Sequence, residues 1–488
     1  MSLGRSIARN AAWLMAATTA QKIIAFLVFT VVARLVGVEV TGRYFFAVSV
    51  TSVFVILTDL GITPVVIREM AAGEEKGLAA LRRAIRAKSV LIPIAIAVTL
   101  AYAFLTQAGP QDWIPIALAC FVMSADAVSL LWYGAIRGLR QLRYEAIGML
   151  VGQILTGIVS LFSAIVLHGG VNGLVIALMA GSFWNVGWSI WRARKLGVVL
   201  SGAALWSWKT LAYQAWPFAL AGVFVKIYSY ADTLMLKQFH GAMAVGIYAV
   251  AYKVTYAFQF LPLTFVAALY PGMSAVHASQ DKQAMNNILR GSLRLMMMAS
   301  VPITAALSAF APRIIPFVYG TSFTGSAAPF AILAWVLIPI FLDFPIGSLL
   351  NATHRAEWKT TAMGITMVIN VAANALLVPL YGPVGAAWAG VISFWSLFFI
   401  GAWFARKDIA DARWAGSLFA RGMLTALVIW YGIRFGLSGI PLFFALPLSA
   451  IAILGFLIGG KLILKEDFVM LRSWMRRKPA VETGEDAV

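Results

Sequence analysis

Apolar residues along this chain gather into fourteen stretches, at 10–36, 44–63, 88–107, 113–136, 146–167, 173–191, 213–236, 243–270, 292–311, 325–350, 360–379, 384–404, 416–435 and 441–462. Each is near the ~20 residues that a helix needs to cross ~30 Å of hydrocarbon, which predicts an all-α polytopic membrane protein with fourteen transmembrane helices. The polar gaps between them alternate in length. Gln107 to Asp112 and His168 to Asn172 are too short to house a folded domain, while the intervening gaps are longer. One of these, 64–87, reads as an amphipathic surface helix, with Leu78, Leu81 and Ile85 on one face and Arg82, Arg83 and Arg86 flanking it. The first stretch is too long for a signal segment and lacks a small-residue cleavage site, so it is expected to remain as a helix. Beyond Asp467 a polar Val-Glu-Thr-Gly-Glu-Asp run reads as a disordered tail over 467–488.

Charge then orients the stretches. Thirty of the 38 Lys and Arg residues fall in the two tails and in every second gap, whereas the alternate gaps hold only Arg43, Lys237, Arg313 and Arg434. Basic residues resist translocation, so the rich gaps and both termini are expected on the cytoplasmic side of the cell membrane. Composition agrees, with 61% hydrophobic and 12% charged residues and a mean hydropathy of +0.86. The net charge of +19 would suggest nucleic acid in a soluble chain; here it sits in short loops that face anionic lipid. The lone Cys120 forbids an intrachain disulfide, and His168, His240, His277 and His354 are scattered over loops without metal-ligand spacing.

The chain also repeats. Lys22, Gly37, Gly42 and Tyr44 recur 204 residues later as Lys226, Gly241, Gly246 and Tyr248, and Gly170-Val171-Asn172-Gly173 is echoed by Pro383-Val384-Gly385 about 212 residues on. Six helices per unit with the same orientation imply parallel repeats about an axis along the membrane normal. The expected organisation is an N-terminal lobe at 1–212, a C-terminal lobe at 213–410, an accessory helix pair at 411–466 and a cytoplasmic tail at 467–488.

Several segments resemble the polysaccharide and oligosaccharide (O-antigen type) flippases of the MOP superfamily, which also holds the lipid II flippases and the MATE drug exporters. They are Leu35-Val36-Gly37 with Gly42-Arg43-Tyr44, Thr58-Asp59-Leu60-Gly61-Ile62, Tyr230-Ala231-Asp232-Thr233-Leu234-Met235-Leu236, Gly246-Ile247-Tyr248-Ala249-Val250-Ala251-Tyr252, Phe317-Val318-Tyr319-Gly320 and Leu380-Tyr381-Gly382-Pro383-Val384-Gly385-Ala386-Ala387. Each is degenerate alone; their order and spacing cover nearly the whole chain. The resemblance implies two pseudo-symmetric six-helix lobes around a central cavity plus an accessory pair, and outward movement of lipid-linked sugars.

Four cations inside apolar stretches point to the same cavity by cost alone. A charge at the bilayer centre is unfavourable by on the order of 2.5–3.5 kcal/mol, so such residues face an aqueous interior. Lys22 lies about 18 Å from the inner end of its stretch and Lys226 at a similar depth, while Lys253 lies roughly 13 Å from the outer side, at ~1.5 Å per residue. Three ammonium groups drawn from both lobes make a site for an anion such as a sugar-linked polyprenyl diphosphate, with Arg34 and Arg43 continuing the basic path outward. The bland alternative is a local carboxylate pair or a snorkelling side chain, for which Arg34 is well placed. Among carboxylates, Asp126 is near midspan and could exchange a proton or bind sodium, and Asp59 and Asp232, nearer helix ends, could gate, pair or cap. Asp343, Asn185, Gln153, Asn370 and Asn374 add polar lining or bond helix to helix. Tyr228, Tyr252 and Tyr256 could stack on sugars or simply pack.

These features predict a flippase that moves polyprenyl-diphosphate-linked oligosaccharide from the inner to the outer leaflet by alternating access, biased by an H+ or Na+ gradient or by the membrane potential. No nucleotide-binding Gly-rich motif is present, and no cofactor is expected. Glycan polymerase or ligase machinery would be a partner. Lipid II is an alternative cargo. A MATE-type drug or cation antiporter is a second alternative, although its cavity should be acidic. A membrane glycosyltransferase or polymerase would need a catalytic acid or base in a large loop.

Overall fold

The computed structural model describes residues 3–106, 108–200, 206–408, 411–460 and 462, with side chains from residue 17 onward except at 74, 267 and 268. The tail at 467–488 and the basic residues at Lys461, Lys465, Arg472, Arg476, Arg477 and Lys478 lie outside the described residues, as do the side chains of Arg5 and Arg9. Hydrocarbon offers no partner to a free N–H or C=O, so the chain satisfies its backbone inside helices. Among the described residues there is no strand.

The helices are α1 (Leu3–Phe54), α2 (Ile62–Ala72), α3 (Glu74–Leu105), α4 (Pro110–Gly138), α5 (Leu142–Phe162), α6 (Gly170–Lys195), α7 (Trp208–Ala257), α8 (Phe260–Ala278), α9 (Lys282–Tyr319), α10 (Ala327–Leu333), α11 (Leu337–Ala352), α12 (Ala356–Phe404), α13 (Ala412–Tyr431) and α14 (Leu442–Gly459). Among the described residues eleven continuous helical runs are long and apolar enough to span a membrane, and the protein is a multi-pass membrane protein. Three of those runs are 42, 71 and 49 residues long, well beyond a single crossing of ~20 residues. Each contains one glycine where the helix breaks: Gly37 (φ 80, ψ 176), Gly241 (φ 78, ψ −173) and Gly382 (φ 53, ψ −130). These angles lie in or near a region that residues with a Cβ avoid, so a single glycine does the work that a short polar gap was expected to do.

The breaks follow the repeat. Gly37 and Gly241, 204 residues apart, share nearly the same backbone angles, and Gly382 has the same φ of 53° as Gly170, 212 residues earlier. Just past the first pair, α1 and α7 cross so closely that side chains would not fit. A Cβ on Gly42 would stand 1.9 Å from the carbonyl oxygen of Ala242, and one on Gly246 would stand 2.0 Å from that of Val38. The contact is reciprocal, because Val38 and Gly42 are the repeat equivalents of Ala242 and Gly246.

The segment 64–87 differs from the single surface helix expected. Gly73 divides it into α2 and the first turns of α3. α2 buries Ile62, Val65, Val66 and Met70, and Met70 lies directly against Gly138 of α4. Leu81 is fully buried rather than lipid-facing, so this segment belongs to the protein core at the basic end. The absence of a Cβ at Gly138, not any apolar period, admits it.

Candidate functional site

Lys22 and Lys226 each lie fifteen residues before a kink glycine, 22 to 37 and 226 to 241, about 22 Å along the helix from it. Their depth is therefore equal, but their surroundings differ. Lys22 is exposed. Lys226 is half-buried, with its Nζ 5.6 Å from the Tyr230 ring, and it lies within electrostatic reach of Asp126 on α4. Asp126 in turn sits against the Ser182 hydroxyl of α6.

Asp126 and Lys253 share an informative property. Both have exposed surface while the fold surrounds them on most sides, a combination that suits side chains lining an internal space. Lys253 approaches α1, with its Nζ 5.8 Å from the Phe29 ring and 5.6 Å from the Phe45 ring. An ammonium over two aromatic faces is held by their quadrupoles and leaves its N–H donors free for a ligand. The neighbouring wall is aromatic: Tyr252 stacks on Tyr256 at 4.1 Å, and Phe394 of α12 lies 5.7 Å from Tyr256 and 6.3 Å from Tyr228. Lys226 and Lys253, from the second repeat, thus both face helices of the first.

The other charged candidates have protein partners. Arg34 donates from Nη1 to the carbonyls of Phe317 and Val318 at 3.0 and 3.1 Å, where the last turn of α9 leaves its carbonyls unpaired. Arg43 grips Glu39 at 2.8 Å and Asp112 at 3.2 Å, and Lys237 reaches the same Asp112 at 2.7 Å. Asp112 is buried, so one carboxylate ties α1 and α4 to α7 at the end of the molecule poor in basic residues. Asp59 accepts from Lys88 Nζ at 2.6 Å and from the Thr63 hydroxyl and amide at the start of α2. Asp232 is buried and accepts from Tyr248 Oη and Thr233 N, both at 2.6 Å. Asp343 pairs with Lys359 at 2.6 Å. Tyr133 donates to Asn185 at 2.7 Å and Asn370 to Ser393 at 2.9 Å, both joining one helical segment to another.

Sequence reasoning missed Phe29, Phe45, Ser182 and Phe394, the groups that surround the lysines and Asp126. Only Asp112 left a signal, as a carboxylate in a gap otherwise bare of charge.

This geometry can be set beside known proteins. The family model described as polysaccharide biosynthesis protein matches residues 7–277, and that of the lipid II flippase MurJ matches residues 149–450. Among curated relatives, the probable low-salt glycan biosynthesis flippase Agl15 of Haloferax volcanii is 23% identical over 223 residues, 46% of this chain and 47% of that one. The probable flippase AglR of the same organism is 24% identical over 169 residues, 34% of this chain and 35% of that one. The chain thus spans less than half the length of the curated relatives it matches. In fold it is similar to the lipid II flippase MurJ in an inward closed conformation, at a TM-score of 0.70 and 14% identity over 95% of this chain and 99% of that one. It is also similar to an inward-facing MATE family multidrug transporter, at a TM-score of 0.67 and 14% identity over 80% and 94%. The two family models each match more than half of the residues, and the chain belongs to the polysaccharide biosynthesis protein family.

Proposed function

We propose that the protein is a carrier, not an enzyme, that flips polyprenyl-diphosphate-linked oligosaccharide from the inner to the outer leaflet of the cell membrane by alternating access. One observation carries the reading: Lys226 and Lys253 lie deep between the repeats with their ammonium groups unpaired by any salt bridge among the described residues. Two ammonium groups from one repeat, facing the other, suit a diphosphate bearing about two negative charges. Lys22, exposed at the same depth, is a third ligand. Each of the three long helical runs crosses the membrane twice, which gives fourteen crossings arranged as lobes 1–212 and 213–410 with an accessory pair at 411–466. Both termini and the basic end are cytoplasmic.

In this conformation the outer end is closed. The Gly42–Gly246 crossing and the bridge from Lys237 to Asp112 hold the lobes together there. At the basic end the ion pairs Lys88–Asp59, Lys359–Asp343 and Arg355–Asp408 each stay within one lobe, so parting the lobes breaks no ion pair among these and costs there the Arg68–Gln214 hydrogen bond. Asp126, next to Lys226, is the coupling group: a cargo phosphate that draws Lys226 away frees the carboxylate to take up H+ or Na+. The match to the lipid II flippase model over 149–450 favours lipid II as the second reading of the cargo. A cation exporter is disfavoured by lysines in the cavity wall.

The test is transport in vesicles or by complementation, with membrane abundance matched. Lys226→Ala and Lys253→Ala should each lower transport by about tenfold or more, the loss that follows from ~1.4 kcal/mol of phosphate attraction, and Arg at these positions should retain part of it. Full transport by a triple Ala variant at 22, 226 and 253 would remove the cationic-cavity mechanism.

A further inference from the structure

Beside the cationic space, a groove of about 670 Å³ runs between α3 and the basic half of α7, bounded by Leu60 and Ile62 where α2 begins. On α7 its wall is the stripe Leu211, Ala215, Ala219 and Val223, spaced four apart as one face of a helix, and Val90 stands opposite. Every lining residue is apolar. Three residues past Val223 on the same face of α7 comes Lys226, about 4.5 Å further along the axis. At the other end the groove opens beside cations. The Arg83 guanidinium stacks 4.6 Å over Trp208 and donates to the Trp206 carbonyl, and Arg68 donates to Gln214 at 2.7 Å.

We propose that this groove seats the polyprenyl chain of the cargo while its diphosphate is held at Lys226. The inference rests on the flippase reading above and adds the path of the tail. An amphiphile with an anionic head needs what this stretch of α7 supplies: a cation at depth, an uncharged apolar channel starting within one helical turn of it, and further cations where the channel meets the anionic leaflet. Lipid tails are as apolar as the groove, so bulk hydrophobicity does not retain the chain. Its placement there follows from tethering to the head at Lys226 and from the shape of the channel. The head can then cross between the lobes while the tail slides along α7, without entering the cavity.

The experiment uses the full chain in phosphatidylcholine nanodiscs and a polyprenyl diphosphate with a photoreactive diazirine on an isoprene unit near the head. The adduct should map to residues 208–223. Unlabelled polyprenyl diphosphate should compete it away and phosphatidylglycerol should not. Ala212 lines the groove from an exposed position, and Ala212→Trp, or Val90→Trp on the facing wall, should reduce labelling to background. Tyr213→Trp, on the same turn but outside the groove, should label as the parent does. An adduct confined to other helices, equal competition by phosphatidylglycerol, or undiminished labelling of both filled variants would overturn the proposal. Dimethylallyl diphosphate, whose chain is too short to occupy the groove, separates the two readings by protecting the Lys226 amine from chemical modification. Protection combined with failed groove labelling discards the tail path alone; no protection discards the diphosphate site and the tail path with it.

Discussion

α1 and α7 are the same helix built twice, and they have parted company in one respect. Both break at a glycine with nearly the same angles, both carry a lysine fifteen residues before it, and both surrender a side chain where they cross. Around the lysines the likeness ends: Lys226 has Asp126 and Tyr230 nearby, and Lys22 is exposed. Backbone geometry was kept at the kinks and where the two helices cross, and side chains diverged around the lysines. A duplicated scaffold can therefore keep one backbone and still surround equivalent lysines differently.

The strongest challenge to this comparison is at the crossing. Val at Gly42 or at Gly246 pushes a Cβ into a carbonyl oxygen, so the helices must separate, and each variant should lose about 3 kcal/mol in thermal unfolding in detergent. Similar losses are expected from both. A large loss in one and none in the other would show that the contact is not reciprocal.

The kinks come next. A Cβ at Gly37 or Gly241 meets nothing within 4 Å, so Ala there costs only backbone strain, about 2 kcal/mol at either position. Matching shifts in unfolding temperature would sharpen the equivalence, whereas a shift at one glycine alone would confine the repeat to the sequence.

The smallest effect isolates the divergence. A double-mutant cycle of Asp126→Asn with Lys226→Ala should give a coupling of about 1 kcal/mol, read from unfolding and from transport. The same cycle with Lys22→Ala should be additive to within about 0.5 kcal/mol. Equal coupling to both lysines would mean that their surroundings have not diverged.

Much of the fold is legible in the sequence, because lipid makes every crossing apolar over a countable length. The gaps at Gly37, Gly241 and Gly382 were visible for that reason, although one glycine rather than a loop proved enough to turn the chain. The segment 64–87 was not, since a Cβ missing from Gly138 on another helix is what lets Met70 in. In the candidate site, Lys226, Lys253 and Asp126 stand out in the sequence because charge in hydrocarbon is costly and conspicuous. Their neighbours did not: Phe29, Phe45, Ser182 and Phe394 are ordinary residues for a membrane helix, and nothing local distinguishes a ring that lies under an ammonium. The carbonyls that hold Arg34 are 283 and 284 residues away, a partnership that no period or motif encodes.

The crossing of α1 and α7 has one more consequence. Residue i of one repeat touches residue j of the other, and j of the first touches i of the second. That is the signature of an isologous interface, the self-complementary patch by which two copies of one subunit meet across a two-fold axis. Such a patch needs a single unit to be correct only once. Two separate copies of one unit could have joined through it before any chain linked them, and a covalent connection between α6 and α7 would then have fixed a homodimer whose halves were free to differ.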